Sequence, residues 1–210
     1  MFDFPGSPVP VRPDLRYSYI NTWNHFSRPG PTLSGPDRVE VLAAARNGKA
    51  PEQAGAAWFG PAIATMTDTL YGTPKAMNGS IVAAAVEEAG DPTTVEVIGL
   101  VSMVAALDGT HRALGAALEP LPEPQTGAPT GIITDGLKRR RTHIPVPPGP
   151  IPVVLDLLPE EGAAFQAMFG PQYMTGWEMA LNDFRRHPGL DRAQMEIVSS
   201  RTSMHNECFY

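Results

Sequence analysis

Prolines divide this sequence into stretches that can form long helices and stretches that cannot. The chain has 23 prolines in 210 residues, about twice the usual share of about 5%. Nine of them fall within residues 120–152. A proline inside a helix removes a backbone donor and clashes with the preceding turn. Helices are therefore expected before and after this segment, and the segment itself is predicted to be a partly extended linker.

Helix signals flank the linker. Ser34 can accept a hydrogen bond as a cap and Pro36 suits a first turn, so a helix is predicted to start here. Asn47-Gly48 is predicted to end that helix. Asp91-Pro92 begins a second helix in the same way. Because no stretch alternates convincingly between polar and apolar residues, the sequence predicts an all-α protein.

The helix that begins at Asp91 is predicted to be the most buried one. Residues 95–107 place apolar side chains on nearly every face, which is typical of a helix at the centre of a fold. This run carries Glu96 and is too short to span a bilayer. Asp108-Gly109, which follows this run, is expected to interrupt the helix before His111.

These signals divide the chain into four segments. They are an N-terminal arm (1–30), a first helical module without cysteines (31–119), the proline-rich linker (120–152) and a partial second helical module (153–210). The arm carries an aromatic island that we expect to dock on the body of the protein. Within it, Trp23 and His25 are interpreted as packing residues.

Charge and cysteine content restrict the partners and the compartment. The net charge of −6 argues against nucleic acid and anionic membranes as partners. The basic run 138–141 is interpreted as a solvated part of the linker. A single cysteine excludes an internal disulfide and fits a reducing compartment. Since the first residues lack the features of a signal peptide, we expect a soluble, cytoplasmic protein.

Most familiar site motifs are missing from the sequence. There is no zinc-type spacing of histidine and cysteine, no phosphate-binding loop, no dinucleotide fingerprint and no Gly-x-Ser-x-Gly elbow. The sequence therefore indicates no cofactor and no metal. Two pairs of carboxylates, Glu87-Glu88 and Glu160-Glu161, are interpreted as solvated helix faces.

One group of residues near the C-terminus suggests chemistry. A helix is predicted to carry Glu196 and to end near Ser203 or His205, with Cys208 shortly after the turn. In the first turn of a following helix, exposed N–H groups would stabilise the Cys208 thiolate, and Glu196 could move the thiol proton. The alternative interpretation is a buried cysteine that acts as a small hydrophobe beside a satisfied glutamate.

The spacing of these residues resembles the motif of the alkylhydroperoxidase D / carboxymuconolactone decarboxylase family. That motif is a glutamate, eleven residues, a cysteine, two residues, a second cysteine, three residues and a histidine. Glu196 and Cys208 match its first two positions, and neighbouring residues fit its usual surroundings: Arg201, Ser203, Asn206, Phe209 and Tyr210. The segment 111–124 is similar to the junction in tandem family members, whose first module lacks cysteines. The resemblance covers most of residues 34–210.

The resemblance implies a helical module, a linker and a partial second module, together with a redox site. Glu196 would belong to the proton relay and Cys208 would be the resolving half of a cysteine pair, with His205 as a further candidate proton carrier. The implied partners are a hydroperoxide-type substrate and a dithiol reductant, and we expect a homo-oligomer.

The peroxide-cleaving cysteine and the histidine of the motif would follow Tyr210, so the chain as given is expected to be truncated within the motif and inactive. A UGA codon read as a stop, where related redox proteins place selenocysteine, is one hypothesis for this position.

Two other functions remain open at this point. The first is a lyase of the same fold, similar to carboxymuconolactone decarboxylase, that uses acid–base residues and no cysteine pair. The second is a non-catalytic helical module for oligomerisation or binding. Its support is that a long apolar helix, and a half-built second module, must bury their apolar surface somewhere.

Overall fold

The computed structural model describes residues 1–48, 58–148, 153–172 and 192–205. Within these ranges the chain forms seven α-helices and no β-strand, which confirms the predicted all-α fold. The helices are α1 (Pro13–Ser27), α2 (Gly35–Asn47), α3 (Pro61–Gly72), α4 (Gly79–Ala89), α5 (Asp91–Ala113), α6 (Pro159–Gln172) and α7 (Arg192–His205). Two short 3-10 turns accompany them, at Pro74–Ala76 and Val154–Leu157.

Helix α2 begins and ends as its sequence predicts. The Ser34 hydroxyl accepts the backbone N–H of Asp37, and the Asp37 carboxylate accepts the backbone N–H of Ser34 in return. This capping box satisfies two donors that the first helical turn leaves unpaired. At the other end, Gly48 takes a left-handed conformation with φ of 62°, which glycine adopts without a steric penalty.

Helix α5 is longer than expected, because the predicted interruption at Asp108-Gly109 is wrong. The helix continues through both residues to Ala113. Asp108 does not compete for the helix backbone, since its carboxylate accepts bonds from Arg46 at 2.6 and 2.8 Å and from the Tyr71 hydroxyl at 2.6 Å. A glycine inside a helix costs only about 1 kcal/mol, and the packing of α5 outweighs that cost.

The core of the fold surrounds α5. Helices α1, α2, α3, α4 and α6 all pack against it, and side chains such as Leu100, Val104 and Leu107 are fully buried. The run 95–107 is too short to span a bilayer, but α5 as a whole is long and apolar enough to do so, and most of its apolar stretch is buried inside the protein. The buried central helix of a globular protein can have the same length and apolar composition as a membrane-spanning helix.

The N-terminal arm docks on the body through aromatic side chains, as expected. Phe2 is fully buried, and its ring centroid lies 5.4 Å from that of His111 on α5. The Tyr19 hydroxyl lies 3.0 Å from the Thr110 hydroxyl on the same helix. The Trp23 indole N–H donates to the Pro120 carbonyl oxygen at 3.2 Å. Trp23 is therefore a packing residue, as predicted.

The described part of the proline-rich segment makes backbone hydrogen bonds to the end of α1 and the residues that follow it. The backbone N–H of Gln125 donates to the Ser27 carbonyl at 2.8 Å, and that of Thr130 donates to the Gly30 carbonyl at 2.8 Å. Beyond it, α6 packs against α1 and α5, and Met168 joins the same core. The proposed boundaries of the four segments stay predictions.

Candidate functional site

The structure describes part of the predicted thiol motif. Glu196 lies on α7 with an exposed side chain, and His205 is the last residue of that helix. The predicted helix around Glu196 is present, and its predicted end near Ser203 or His205 stays a prediction, because the residues after His205 lie outside the described ranges. Cys208 lies outside the described residues. The structure thus gives the helical setting of Glu196, while its distance from the cysteine stays a prediction.

Helix α7 also exposes large apolar side chains. Ile197, Val198 and Met204 are 69%, 59% and 68% exposed. Ile197 and Met204 are seven residues apart, so they lie on one face of the helix, with Arg201 between them. Together, Ile197 and Met204 form the exposed apolar face of α7.

A buried cluster of charged side chains lies elsewhere in the bundle. Its members are His25 of α1, Arg38 of α2, Glu96 of α5 and Glu161 of α6. The side chains of Arg38, Glu96 and Glu161 are fully buried, while that of His25 is 22% exposed. We call these four residues the charge cluster.

One guanidinium joins the two carboxylates of the charge cluster. Arg38 Nη1 donates to Glu96 Oε1 at 2.5 Å and to Glu161 Oε1 at 2.6 Å. His25 Nε2 lies 3.0 Å from both carboxylate oxygens of Glu161 and 2.9 Å from Arg38 Nη2. Four helices therefore meet through a single set of charged contacts.

The remaining oxygen of Glu96 accepts bonds from the turn between α1 and α2. Glu96 Oε2 accepts from the backbone N–H and the hydroxyl of Thr32, both at 2.7 Å, and from the backbone N–H of Leu33 at 3.2 Å. Gly30 closes this turn, and its N–H donates to the Leu33 carbonyl at 2.9 Å. A Cβ atom on Gly30 would overlap the Arg38 guanidinium and the Glu96 carboxylate, so the turn needs glycine there.

The two carboxyl groups of the charge cluster have opposite pKa shifts. Burial raises the pKa of Glu96, and the opposing effects of Arg38 and Thr32 do not cancel it. Burial also acts to raise the pKa of Glu161, but the hydrogen bond from His25 and the charges of Arg38 and His25 outweigh it, so that this pKa is lowered. One arginine cannot balance two carboxylates, and Glu161 is the better compensated of the two.

Sequence reasoning missed the charge cluster. The prediction that Glu160-Glu161 forms a solvated face is wrong for Glu161, which is fully buried. His25, interpreted as a packing residue, contacts charged groups. The one available signal was Glu96, because a carboxylate inside a run that is apolar on all faces needs a buried cation. Nothing local in the sequence identified Arg38 as that cation.

The second predicted carboxylate pair also has a structural role. Glu88 accepts backbone N–H groups at the start of α3, from Gly60 at 3.1 Å, Ala62 at 3.0 Å and Ile63 at 2.9 Å. It is half-buried, whereas Glu87 is exposed. The solvated interpretation is therefore confirmed for Glu87 and wrong for Glu88, which caps the neighbouring helix.

In residues 1–48, 58–148, 153–172 and 192–205, no three histidine, cysteine, aspartate or glutamate side chains form a group that could hold a metal ion. Comparisons with protein-family models, curated proteins and solved structures found no match.

Proposed function

We propose that this chain is part of a thiol-dependent hydroperoxidase in which Cys208 is one of two redox sulfurs and Glu196 moves its proton. The observation that supports the proposal is that α7 (Arg192–His205) carries Glu196 with an exposed side chain, twelve residues before the sole cysteine. A glutamate followed after eleven residues by a cysteine is the spacing that the motif of alkylhydroperoxidase D has. The all-α fold also agrees with it.

The proposed reaction needs two sulfurs and an external dithiol. The peroxide-cleaving thiolate attacks one peroxide oxygen, the O–O bond breaks, an alcohol leaves and the sulfur becomes a sulfenic acid. The Cys208 thiol then attacks that sulfur, which forms a disulfide and releases water. A dithiol reductant returns both thiols and leaves as its own disulfide. The net reaction converts a hydroperoxide and a dithiol into an alcohol, a disulfide and water.

Chain geometry sets a condition on the role of Glu196. His205 lies nine positions after Glu196, which corresponds to about 13.5 Å along a helix at about 1.5 Å per residue. Three further residues reach at most about 11 Å. Cys208 can therefore approach the Glu196 carboxylate only if the chain reverses direction directly after α7. The proposal requires that reversal.

The proposed reaction also predicts the compartment, the small-molecule partners and the assembly of the protein. A cysteine pair that cycles between thiol and disulfide needs a reducing compartment, so we place the protein in the cytoplasm. The hydroperoxide and the dithiol are its small-molecule partners, and a homo-oligomer is the proposed assembly.

The test compares two forms of the chain for consumption of cumene hydroperoxide in the presence of dithiothreitol. One form ends at Tyr210, and the other continues along the reading frame through the positions at which the motif places its second cysteine and its histidine, with any in-frame UGA decoded as cysteine. We expect turnover only from the extended form. In that form, Cys208→Ser should abolish dithiol-dependent turnover, and Glu196→Gln should lower it by about 10²–10⁴-fold, the usual contribution of a general base.

Glu87→Gln is the matched control, because Glu87 is also an exposed helical glutamate. It should leave turnover unchanged. An extended chain without peroxidase activity would refute the proposal. Activity that survives Cys208→Ser would refute it too and would favour the lyase alternative.

The exposed apolar face of α7 favours a second candidate function, a helical oligomerisation module. Ile197 and Met204 on one helix face would be stabilised by burial against another helix. Light scattering coupled to size-exclusion chromatography should then show an oligomer that Ile197→Ser/Met204→Ser dissociates. The exposed polar substitution Thr202→Ala on the same helix is the control. A monomeric wild-type chain would exclude this candidate.

A further inference from the structure

We propose that residues 138–146, which we call the basic loop, form a docking surface for an acidic segment of a partner protein. The inference does not depend on the thiol chemistry proposed for Cys208. It rests on the fixed backbone of the loop, on three cations that have no acidic partner within the described part of the chain, and on the charge of the remaining residues.

The two ends of the basic loop are held together and against the body of the protein. The backbone N–H of Val146 donates to the Lys138 carbonyl at 3.2 Å, which makes an isolated antiparallel bridge. Ile144 and Val146 are each only 2% exposed, and Ile144 packs in a core cluster with Val95 of α5. The residues between the two ends are therefore presented from a fixed base.

One arginine of the loop has a structural role. Arg139 Nη2 donates to both carboxylate oxygens of Asp91, at 2.7 and 2.6 Å, and Arg139 Nε donates to the His143 carbonyl at 3.0 Å. The Thr142 hydroxyl donates to the Ile144 carbonyl at 2.7 Å. The interpretation of this run as a solvated part of the linker explains why its charges are exposed, but it does not explain this closed loop.

The other three cations of the loop are available to a partner. Lys138, Arg140 and Arg141 are exposed, and none of them has a carboxylate within salt-bridge distance among the residues that the structure describes. Like charges held in one short loop repel each other, and a run of carboxylates placed against them would remove that repulsion. Several other arginines already have an acidic partner: Arg12, Arg16, Arg38, Arg46 and Arg139.

The charge of the remaining chain selects a short anionic partner. Outside residues 138–141 the chain has 12 basic and 22 acidic side chains, a net charge of −10. A nucleic acid or an anionic membrane extends well beyond the loop, so this negative field would repel it. A short run of carboxylates can stay within about 10 Å of the loop, which is roughly one Debye length at about 0.1 M salt.

The surroundings of the loop also favour a protein partner. Ile132 and Ile133 are 48% and 39% exposed, and the Thr134 N–H donates to the Leu157 carbonyl at 2.9 Å, which holds this stretch beside the apolar cluster that contains Ile144. Residues 128–148 contain no phenylalanine, tyrosine or tryptophan ring on which a nucleic-acid base could stack. Arginine forks match carboxylates in a bidentate geometry, and the isoleucines offer apolar contact area.

Fluorescence anisotropy with a labelled peptide of eight glutamates and a leucine at each end tests the proposal at about 50 mM salt. We expect saturable binding to the wild-type chain. Arg140→Gln/Arg141→Gln should weaken it by about fivefold, since each exposed ion pair contributes a factor of about two. Arg28→Gln/Arg201→Gln removes two exposed arginines outside the basic loop and should leave the affinity unchanged.

Two further probes distinguish the partner class, an oligothymidylate and vesicles that contain phosphatidylglycerol. Both should bind more weakly than the acidic peptide. Stronger binding of either probe would overturn the proposal, and so would the absence of peptide binding. Wild-type affinity in the Arg140→Gln/Arg141→Gln chain would overturn it as well, because the peptide would then be held elsewhere.

Discussion

At the scale of single residues, the charge cluster depends on one cation, Arg38, that compensates the charges of two buried carboxylates. Arg38 is fully buried and contacts both Glu96 and Glu161. Among the contacts that the structure describes, Arg38 is the only arginine or lysine within salt-bridge distance of either carboxylate. Glu161 has His25 beside it as well. Buried ion pairs add little net stability, but loss of one partner leaves an uncompensated buried charge. Arg38 is therefore the residue whose removal should cost most.

Arg38→Met should lower the free energy of unfolding by about 3–5 kcal/mol, because it leaves two carboxylates buried without their cation. Urea denaturation followed by circular dichroism measures the effect. Arg141→Met, at an exposed position, should change stability by less than about 0.5 kcal/mol. Adding Glu96→Gln and Glu161→Gln to Arg38→Met should recover part of the loss. A mild effect of Arg38→Met alone would contradict this role.

The opposite pKa shifts of the two glutamates predict opposite pH slopes. The pKa of Glu161 is lowered on folding, so its stabilisation is present above the unfolded-state pKa and disappears as the pH falls through the folded-state pKa. The pKa of Glu96 is raised, so its contribution is present below the unfolded-state pKa and disappears as the pH rises through the folded-state pKa.

Denaturation of the isosteric variants at several pH values between 3 and 7 checks these signs. The destabilisation caused by Glu161→Gln should grow with pH, and that caused by Glu96→Gln should shrink with pH. If the destabilisation by the two variants changed with pH in the same direction, the surroundings of the two carboxyl groups would not shift their pKa values in opposite directions. Both variants carry the same chemical change, so each is the control for the other.

At the scale of elements, local signals predicted helices well and their contacts poorly. The start of α2 depends on Ser34, Pro36 and Asp37, which are close in sequence, so the capping box was readable. The cap of α3 is supplied by Glu88 from α4, across more than twenty residues. No pattern in the neighbouring sequence indicates that Glu88 contacts α3. From the sequence alone, Glu88 therefore could not be distinguished from the exposed Glu87.

Glu88→Ala should cost about 1–2 kcal/mol of stability, since three N–H groups at the start of α3 lose their acceptor. Thermal and urea denaturation measure this cost. Glu87→Ala introduces the same residue one position earlier on the same helix, at an exposed site, and should be close to neutral. Equal effects of the two substitutions would mean that the Glu88 contacts do not stabilise α3.

At the scale of the whole molecule, the fold class followed from the sequence and the arrangement of its segments did not. The proline-rich stretch is predicted to be a linker, and the backbone N–H groups of Gln125 and Thr130 within it donate to backbone carbonyls of the bundle. Helix α6 follows that stretch and still contributes Met168 and Glu161 to the same body. Such long-range packing depends on shape and charge complementarity, which a single sequence does not display.

The proposed thiol site shows the same limit. Spacing along the chain predicts Glu196 and Cys208 as site residues, and the structure describes the helix that carries the glutamate. Their proximity depends on how the chain turns after α7. The central functional claim is therefore that the Glu196 carboxylate lies next to the Cys208 thiol.

The pH dependence of Cys208 alkylation by iodoacetamide tests that claim most directly, because the chain has one cysteine and the label reports on it alone. A nearby carboxylate disfavours a thiolate, so Glu196→Gln should move the midpoint of the alkylation profile to lower pH, while Glu87→Gln should leave it in place. Superimposable profiles for the wild-type and Glu196→Gln chains would contradict the claim.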